Sequence, residues 1–358
     1  MRLERLKASL GRRGVDGFLV TNVTNVRYLT GFRGSSCFIL LTGKRNIFVT
    51  DFRYREEAEK ELKAEGIVWD IVIEKGNRLR TVKGFVRDLR IRCLGFESSV
   101  SYELFAALSR LGIRLKPLKG TVEGMRVLKD PEEVALIREA VRRAEAAFLD
   151  VKPFIRQGRR EREIALMLEE RLKKRGCNRL PFDIIVAAGE NSSMPHAQAG
   201  NRRLSPGDLV IIDWGGEAGG YYSDMTRTFL VKGGIRGDVS LKREIYETVL
   251  KANREASVSV MPDINSREID RRARDVIKDR GYDKFFGHGT GHGIGLEVHE
   301  SPSITWKRGE TIREGMVFTV EPGIYIPGVG GVRIEDMVLV RHGRAEVLTK
   351  LPRRLEII

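Results

Sequence analysis

The sequence predicts a mixed α/β (α+β) protein of two domains, and three observations carry that expectation. From Met1 to about Val122 short apolar runs alternate with amphipathic stretches, the pattern of strands interleaved with helices in one sheet-based domain. A capped helix start at Asp130 opens a second region after a boundary at Thr121–Lys129. In that region the order helix, helix, strands, hairpin occurs twice, which suggests an internal repeat in the order of elements and not in residue identity. At 358 residues the chain can bury a large core, so one or two domains are the natural outcome.

In residues 1–122 the expected strands are Phe18–Thr21, Cys37–Leu41, Asn46–Val49, Val68–Ile73, Cys93–Phe96 and Ile113–Leu118. The expected helices are Arg2–Leu10, Tyr54–Ala64, Leu79–Leu89 and Tyr102–Leu111. This domain has no histidine and no Gly-x-Gly-x-x-Gly loop after a strand, so it holds only scattered candidates for chemistry. Asp51-Phe52-Arg53-Tyr54 either offers polar groups to a substrate lip or simply starts a helix.

In residues 123–358, Asp130 sits where an N-cap belongs, with Pro131 at the first helical position and Glu133 three residues on. Val134, Ile137, Val141, Ala144 and Phe148 continue at helical spacing to about Val151. A second helix, Glu161–Arg175, stops at Gly176. A strand at Asp183–Ala188 leads into a loop, Gly189–Gly200, that carries His196. Pro206-Gly207 opens a hairpin of Asp208–Gly215 and Tyr221–Val231. Helices at Leu241–Val258 and Ser266–Arg280 follow, the second capped by Ser266 and stopped by Gly281. Strands then return in the histidine- and glycine-rich segment, Met316–Tyr325 and Val332–Arg341.

Composition narrows the class. Lys and Arg number 64 against 49 Asp and Glu, a net charge of +15, which would suit either a nucleic-acid footprint or a solvated basic surface. No run of five or more like charges occurs, which favours the solvated surface and argues against a nucleic-acid partner. A charged fraction of 32% also suits a heat-tolerant source. Cys37, Cys93 and Cys177 are far apart and near no histidine, so reduced, buried thiols are expected. The charged N-terminus lacks an apolar signal region and no 18-residue apolar run exists, so the expectation is a soluble, cytoplasmic protein with no membrane partner.

The chemistry concentrates in acids placed about two turns. Asp213 and Asp224 are equidistant from a point between Ala218 and Gly219, and Glu321 and Glu335 are equidistant from Gly328. Residues so placed are expected to face each other across an antiparallel pair, with Cβ atoms about 5 Å apart. One such pair could simply face water. Two pairs, each flanked by apolar strands such as Leu209–Ile212 and Met316–Val320, point instead to buried carboxylates, which must be paired or bind metal. Four of them match the charge of two divalent cations.

Histidines supply a further ligand type. His288 and His292 have the spacing of a zinc-binding helix, but glycines at 287, 289, 291, 293 and 295 each cost a helix about 1 kcal/mol. The segment is therefore expected to be extended, with backbone closely approaching a ligand. Four of the five histidines, His196, His288, His292 and His299, fall in glycine-rich loops beside the acids, whereas His342 belongs to an exposed turn. Oxygen-rich coordination with one imidazole and no thiolate favours Mn²⁺, Co²⁺ or Fe²⁺. Two such ions roughly 3.5–4 Å apart could activate a shared water for amide hydrolysis. Alternation along the strands puts Arg333 on the face of Glu335 and Thr226 on the face of Asp224. Arg333 could orient a metal-binding carboxylate, meet a substrate carboxylate, or sit on the surface.

Asp213-Trp214-Gly215-Gly216, Ser223–Thr228, His288–Glu300, Thr319–Gly323 and Arg333–Asp336 together resemble the pita-bread metallopeptidases, and within them prolidase (Xaa-Pro dipeptidase) and aminopeptidase P. The resemblance implies a creatinase-type N-terminal α/β domain followed by a pita-bread catalytic domain with an internal pseudo-two-fold repeat. It implies that Asp213 binds one metal, that Asp224 and Glu335 bridge, and that His292 and Glu321 complete the second. Glu321 would also shuttle the proton of a metal-bridging hydroxide. His196 would contact substrate and stabilise the tetrahedral intermediate, His299 would lie near the scissile imide bond, His288 would face substrate or support the ligands, and Arg333 would join the active-site network. The implied metals are two divalent ions, Mn²⁺ or Co²⁺ foremost, with Fe²⁺ or Zn²⁺ also compatible. The implied substrates are small peptides with proline second, and the implied assembly is a homodimer.

Two other classes stand beside this one. A basic nucleic-acid- or protein-binding module on the same fold would be expected to lack some of the ligand set, which is complete here. Another small-molecule hydrolase or lyase on the same metal scaffold would keep it.

Overall fold

The computed structural model describes residues 2–64, 67–233 and 236–358. They divide into two units, Met1–Arg126 and Val127–Ile358.

In the first unit α1 (Arg2–Arg12), β1 (Gly17–Val20), α2 (Val23–Thr30), β2 (Cys37–Thr42), β3 (Asn46–Thr50), α3 (Arg55–Ala64) and β4 (Asp70–Ile73) follow in order. They lead to α4 (Arg78–Asp88), β5 (Cys93–Phe96), α5 (Tyr102–Leu108), β6 (Arg114–Pro117) and α6 (Glu123–Arg126). The six strands form one mixed sheet ordered β4-β3-β2-β1-β5-β6. The central strands are buried on both faces, which is why they read as continuous apolar runs such as Phe18-Leu19-Val20. Asp51 accepts from the Arg53 N–H and caps a 3₁₀ turn at Phe52–Tyr54, so that segment starts a helix.

Helix α2, like α6, is left unassigned by sequence patterning. Its run of valines and threonines has a strand-like propensity, and burial against the sheet overrides it. Its punctuation is nonetheless present. Asn22 accepts from the Thr24 N–H at one end, and Gly31 in the left-handed region returns its N–H to the Arg27 carbonyl at the other.

The second unit opens with α7 (Pro131–Val151), capped as expected. Asp130 Oδ1 accepts from the Glu133 N–H and Glu133 Oε2 accepts from the Asp130 N–H, both at 2.9 Å. There follow α8 (Glu161–Lys174), β7 (Ile185–Ala188), β8 (Leu209–Trp214), β9 (Glu217–Ala218), β10 (Tyr221–Tyr222) and β11 (Met225–Leu230). The second half runs α9 (Arg236–Ser259), α10 (Ser266–Asp279), β12 (Gly291–Gly293), β13 (Glu300–Ile304), β14 (Val317–Val320), β15 (Gly323–Ile326), β16 (Gly330–Arg333) and β17 (Asp336–Arg341). β18 (Arg344–Val347) and β19 (Glu356–Ile357) close the chain. The cap of α10 is Asn265, whose Oδ1 accepts from the Arg267 N–H, and not Ser266, which is already helical.

Topology makes the repeat explicit. β7, β8 and β11 are neighbours in one antiparallel set, and β12, β14 and β17 are neighbours in another. Each half adds a hairpin tip, β9–β10 in the first and β15–β16 in the second. Two helices precede each set. Buried aromatics fasten the first half: Trp214 Nε1 donates to the Ala144 carbonyl at 3.0 Å, and its ring stacks on Phe148 at 4.5 Å. The two halves meet along β11, where the Glu335 N–H donates to the Thr226 carbonyl and Thr228 Oγ1 donates to the Arg333 carbonyl.

Candidate metal centre

The two hairpins deliver their acids differently. The β14–β17 ladder ends on Val320↔Asp336, and the β15–β16 ladder runs from Gly323↔Arg333 in the same register. Glu321 and Glu335 therefore lie opposite each other in the gap between the ladders. The first hairpin departs from expectation. Asp213 is opposite Thr226, and Asp224 lies two residues before Thr226, so the two aspartates are diagonal neighbours on one face. The reason is the turn. Its centre is Gly219-Gly220, both with positive φ (55° and 85°), as a type I′ turn requires, which moves the midpoint one residue along.

Of the histidine-glycine segment, expected to be extended, only Gly291–Gly293 is a strand and bends follow it, and Gly291 and Gly293 serve close approach of backbone to backbone. A methyl group on Gly291 would run into the Thr319 carbonyl, and one on Gly293 into the Ser301 carbonyl. β12 is thereby pressed between β13 and β14, and His292 is held over the acids. Its Nδ1 faces the Gly293 carbonyl at 3.1 Å, which leaves Nε2 at 3.6 Å from Asp224 Oδ2 and 3.5 Å from Glu321 Oε1. Asp224, His292 and Glu335 bring one ligand atom each within 4.8 Å of one another.

Electrostatics at this cluster is unfavourable without a cation. Burial raises the pKa of Asp224 well above the usual carboxylate range, and Glu335, Asp213 and Glu321 add to the shift. Burial and then the charges of Glu321 and Asp213 do the same to Glu335. Glu321 is also raised, chiefly by burial. Burial lowers the pKa of His288, His292 and His299, so these imidazoles are held neutral, with a lone pair available. Two carboxylate oxygens, Asp213 Oδ1 and Asp224 Oδ1, are buried with no hydrogen-bond partner. Buried acceptors of that kind, beside a neutral imidazole, are a donor set that fits divalent cations.

A hydrogen-bond chain positions the acids. Arg333, on β16, donates from Nη2 to Asp213 Oδ2 at 2.7 Å, from Nε to Thr226 Oγ1 at 3.1 Å and from Nη1 to the Tyr325 hydroxyl at 2.9 Å. Thr226 in turn donates to Glu335 Oε2 at 2.8 Å. The Tyr325 hydroxyl also lies 2.9 Å from His288 Nε2, and His288 Nδ1 faces the Gly289 carbonyl. Arg333 is thus buried and committed to Asp213. His288 reaches the cluster through Tyr325.

A cavity of about 930 Å³ opens over the cluster and brings every candidate together. Asp213, Asp224, His288, His292, Glu321, Arg333 and Glu335 line its base. His196 and His299 are exposed side chains on its wall, and the His299 ring meets the edge of His292 at 4.3 Å. His342 lies apart in an exposed turn after β17.

Some participants escape sequence reasoning. Tyr325 is four residues beyond Glu321 on an extended segment, and period-two alternation could have placed it on the same face. Thr319, whose Oγ1 donates to Glu321 Oε1 at 3.2 Å and accepts from the His292 N–H, was open to the same argument. The apolar wall of Pro181, Phe182, Ile184 and Val298 carries no sequence signal, because those segments are irregular.

Comparison with known proteins agrees with this architecture. The model of Metallopeptidase family M24 matches residues 135–342, and that of the Creatinase/Prolidase N-terminal domain matches residues 2–128. The chain is 39% identical over 361 residues to "Uncharacterized peptidase YqhT" of Bacillus subtilis, covering 100% of both. Among solved structures it is similar to an Xaa-Pro dipeptidase from Bacillus anthracis, with a TM-score of 0.93 and 40% identity over 100% of this chain and 99% of that one. It is also similar to an X-Pro aminopeptidase from Thermotoga maritima, with a TM-score of 0.88 and 34% identity over 99% of each chain. The chain belongs to metallopeptidase family M24. No helix among its described residues is long and apolar enough to cross a membrane.

Proposed function

We propose that this chain is a two-metal peptidase that hydrolyses the bond before proline, in Xaa-Pro dipeptides or at the N-terminus of peptides with proline second. The observation that carries this reading is the convergence of Asp224, His292 and Glu335 beside Asp213 and Glu321, with two buried carboxylate oxygens unbonded. The names of the Bacillus anthracis and Thermotoga maritima relatives supply the proline specificity.

Asp213, Asp224, His292, Glu321 and Glu335 would hold the two ions, Mn²⁺ or Co²⁺ foremost, with Fe²⁺ or Zn²⁺ also compatible. Such ions, when bound, acidify a water to a pKa of about 7 and polarise a carbonyl. Proline's nitrogen carries no hydrogen, so it must be protonated to leave. Glu321, beside the ions, takes the proton of the attacking water and returns it to that nitrogen. His196 and His299 contact the substrate from the cavity wall, and the one nearer the carbonyl stabilises the oxyanion. His288 and Arg333 act through Tyr325 and Asp213 on the geometry of the base. Pro181, Phe182, Ile184 and Val298 offer an apolar surface to the pyrrolidine ring. A homodimer in the cytoplasm is the expected setting, and the buried, unpaired thiols of Cys37, Cys93 and Cys177 suit a reducing compartment.

The test is hydrolysis of Ala-Pro, of Xaa-Pro-Xaa and of longer Xaa-Pro peptides with added Mn²⁺ or Co²⁺, beside controls lacking proline. The reading requires turnover of proline-second substrates and its loss in Asp224→Ala. Equal turnover of the controls would defeat the specificity.

A further inference from the structure

The first unit carries most of the chain's charge excess. Residues 1–126 hold 25 Lys and Arg against 14 Asp and Glu, a formal +11 of the chain's +15. Part of this excess surrounds a second cavity, of about 810 Å³, formed by α4, the turn that leaves it and the segment ahead of β6. Arg80, Lys83 and Arg87 stand three and four positions apart on α4 and so share a face, and Arg90 and Arg92 follow on the turn. Val86, Ile91, Leu111 and Ile113 supply an apolar floor.

No carboxylate lines this cavity among the described residues. Elsewhere the helices answer their cations with acids one turn away, as in Lys173–Glu169, Lys174–Glu170 and Arg271–Glu268. Here only Arg87 is answered, by an exposed ion pair with Asp88 at 2.9 Å. Asp16 commits one oxygen, Oδ2, to the backbone N–H groups of Arg92 and Cys93. The side chains of Arg80, Lys83, Arg90 and Arg92 have no hydrogen-bond or ion-pair partner among the described residues.

Arg90 adds a separate observation. It occupies the left-handed region (φ 51°) just past the end of α4, a position where glycine is the usual residue and any other is strained. Strain tolerated at one residue points to a side chain kept for its chemistry. Guanidinium groups bind phosphate oxygens in pairs and present flat faces to aromatic rings.

We propose that this cavity binds a nucleoside polyphosphate, with the phosphates on the arginines and the base on the apolar floor. The proposal stands apart from the peptidase reading, since none of these residues belongs to the metal centre.

The test is calorimetric titration of the full, metal-loaded chain in excess Mg²⁺ with ATP, GTP, inorganic tripolyphosphate and a short single-stranded RNA. The proposal expects saturable one-to-one binding of a nucleoside triphosphate, about tenfold tighter than tripolyphosphate because only the nucleotide uses the floor. Arg90→Gly should raise the melting temperature, by removing strain, while weakening nucleotide binding about tenfold. A paired Arg87→Ala, Arg92→Ala variant should abolish nucleotide binding and leave peptide hydrolysis unchanged. Tripolyphosphate equal to the nucleotides, RNA bound tightest, no saturable binding, or affinity that survives both variants would each overturn the proposal.

Discussion

Arg333 gives one oxygen of Asp213 a 2.7 Å charge-assisted hydrogen bond and leaves the other oxygen buried with no hydrogen-bond partner. The pair is therefore half satisfied by the protein. An arginine that engaged both oxygens of Asp213 would remove it from metal chemistry, whereas this one holds Oδ2 and leaves Oδ1 free of hydrogen-bond donors.

Replacing Arg333 tests that arrangement. Arg333→Met leaves a buried carboxylate without its partner, a change that costs about 3–5 kcal/mol in comparable sites. Urea unfolding of the metal-loaded protein should show a loss of this order, with kcat/KM falling by about a hundredfold or more. Arg333→Lys should recover part of the stability but little activity, because one ammonium cannot reach Asp213, Thr226 and Tyr325 together.

Asn253, buried in α9, donates from Nδ2 to the carbonyls of Val320 at 2.9 Å and Ile334 at 3.2 Å. Those residues immediately precede Glu321 and Glu335, so one amide group spaces the strands that carry the two glutamates. Asn253→Ala should remove two buried hydrogen bonds, each worth about 0.5–1.5 kcal/mol. Calorimetric metal titration should show weakened affinity in the folded variant. Unchanged affinity would remove Asn253 from any positioning role.

The pKa shifts set a pH dependence for the metal-free protein. Asp224, Glu321 and Glu335 have folded-state pKa values raised above ordinary ones of about 4. Their contribution to stability is thus fully present below about pH 4 and is lost as pH rises through the raised values. These acids favour the metal-free protein at about pH 5 over about pH 7.5, whereas His288, His292 and His299, with folded pKa values lowered by burial, oppose them as pH falls through about 6.5, so a variant isolates the acids' share. Glu335→Gln, which mimics the protonated acid, should raise the metal-free melting temperature at the higher pH and flatten the dependence. A metal-free protein more stable at the higher pH through these groups would contradict this.

Burial pushes the Cys37 thiol up to about 12, and its side chain is 2% exposed. A thiol-specific reagent should leave Cys37 unmodified in the native protein and react only after unfolding. Rapid native labelling there would mean that the first unit opens.

How much of this is legible in the sequence depends on whether a feature is local. The capping box at Asp130 and the buried strands follow from spacing alone. The opposition of Glu321 and Glu335 is readable because one register runs through both ladders of their hairpin. Asp213 and Asp224 are misplaced by two residues, because composition cannot say where a turn centres within Gly215–Gly220. Helix α2 is hidden by residues whose propensity favours a strand, with only Asn22 and Gly31 to mark it. Tyr325 and Asn253 act through hydrogen bonds that span long stretches of sequence, and periodicity carries no trace of such partners beyond the face on which each lies.

The central claim is that these acids coexist because two divalent cations sit among them, and metal stoichiometry tests it most directly. After loading with Mn²⁺ and removal of free ion, elemental analysis should find two Mn²⁺ per wild-type chain and fewer in folded Asp224→Ala. A wild-type chain that retains none, or an Asp224→Ala chain that retains both, would contradict the account.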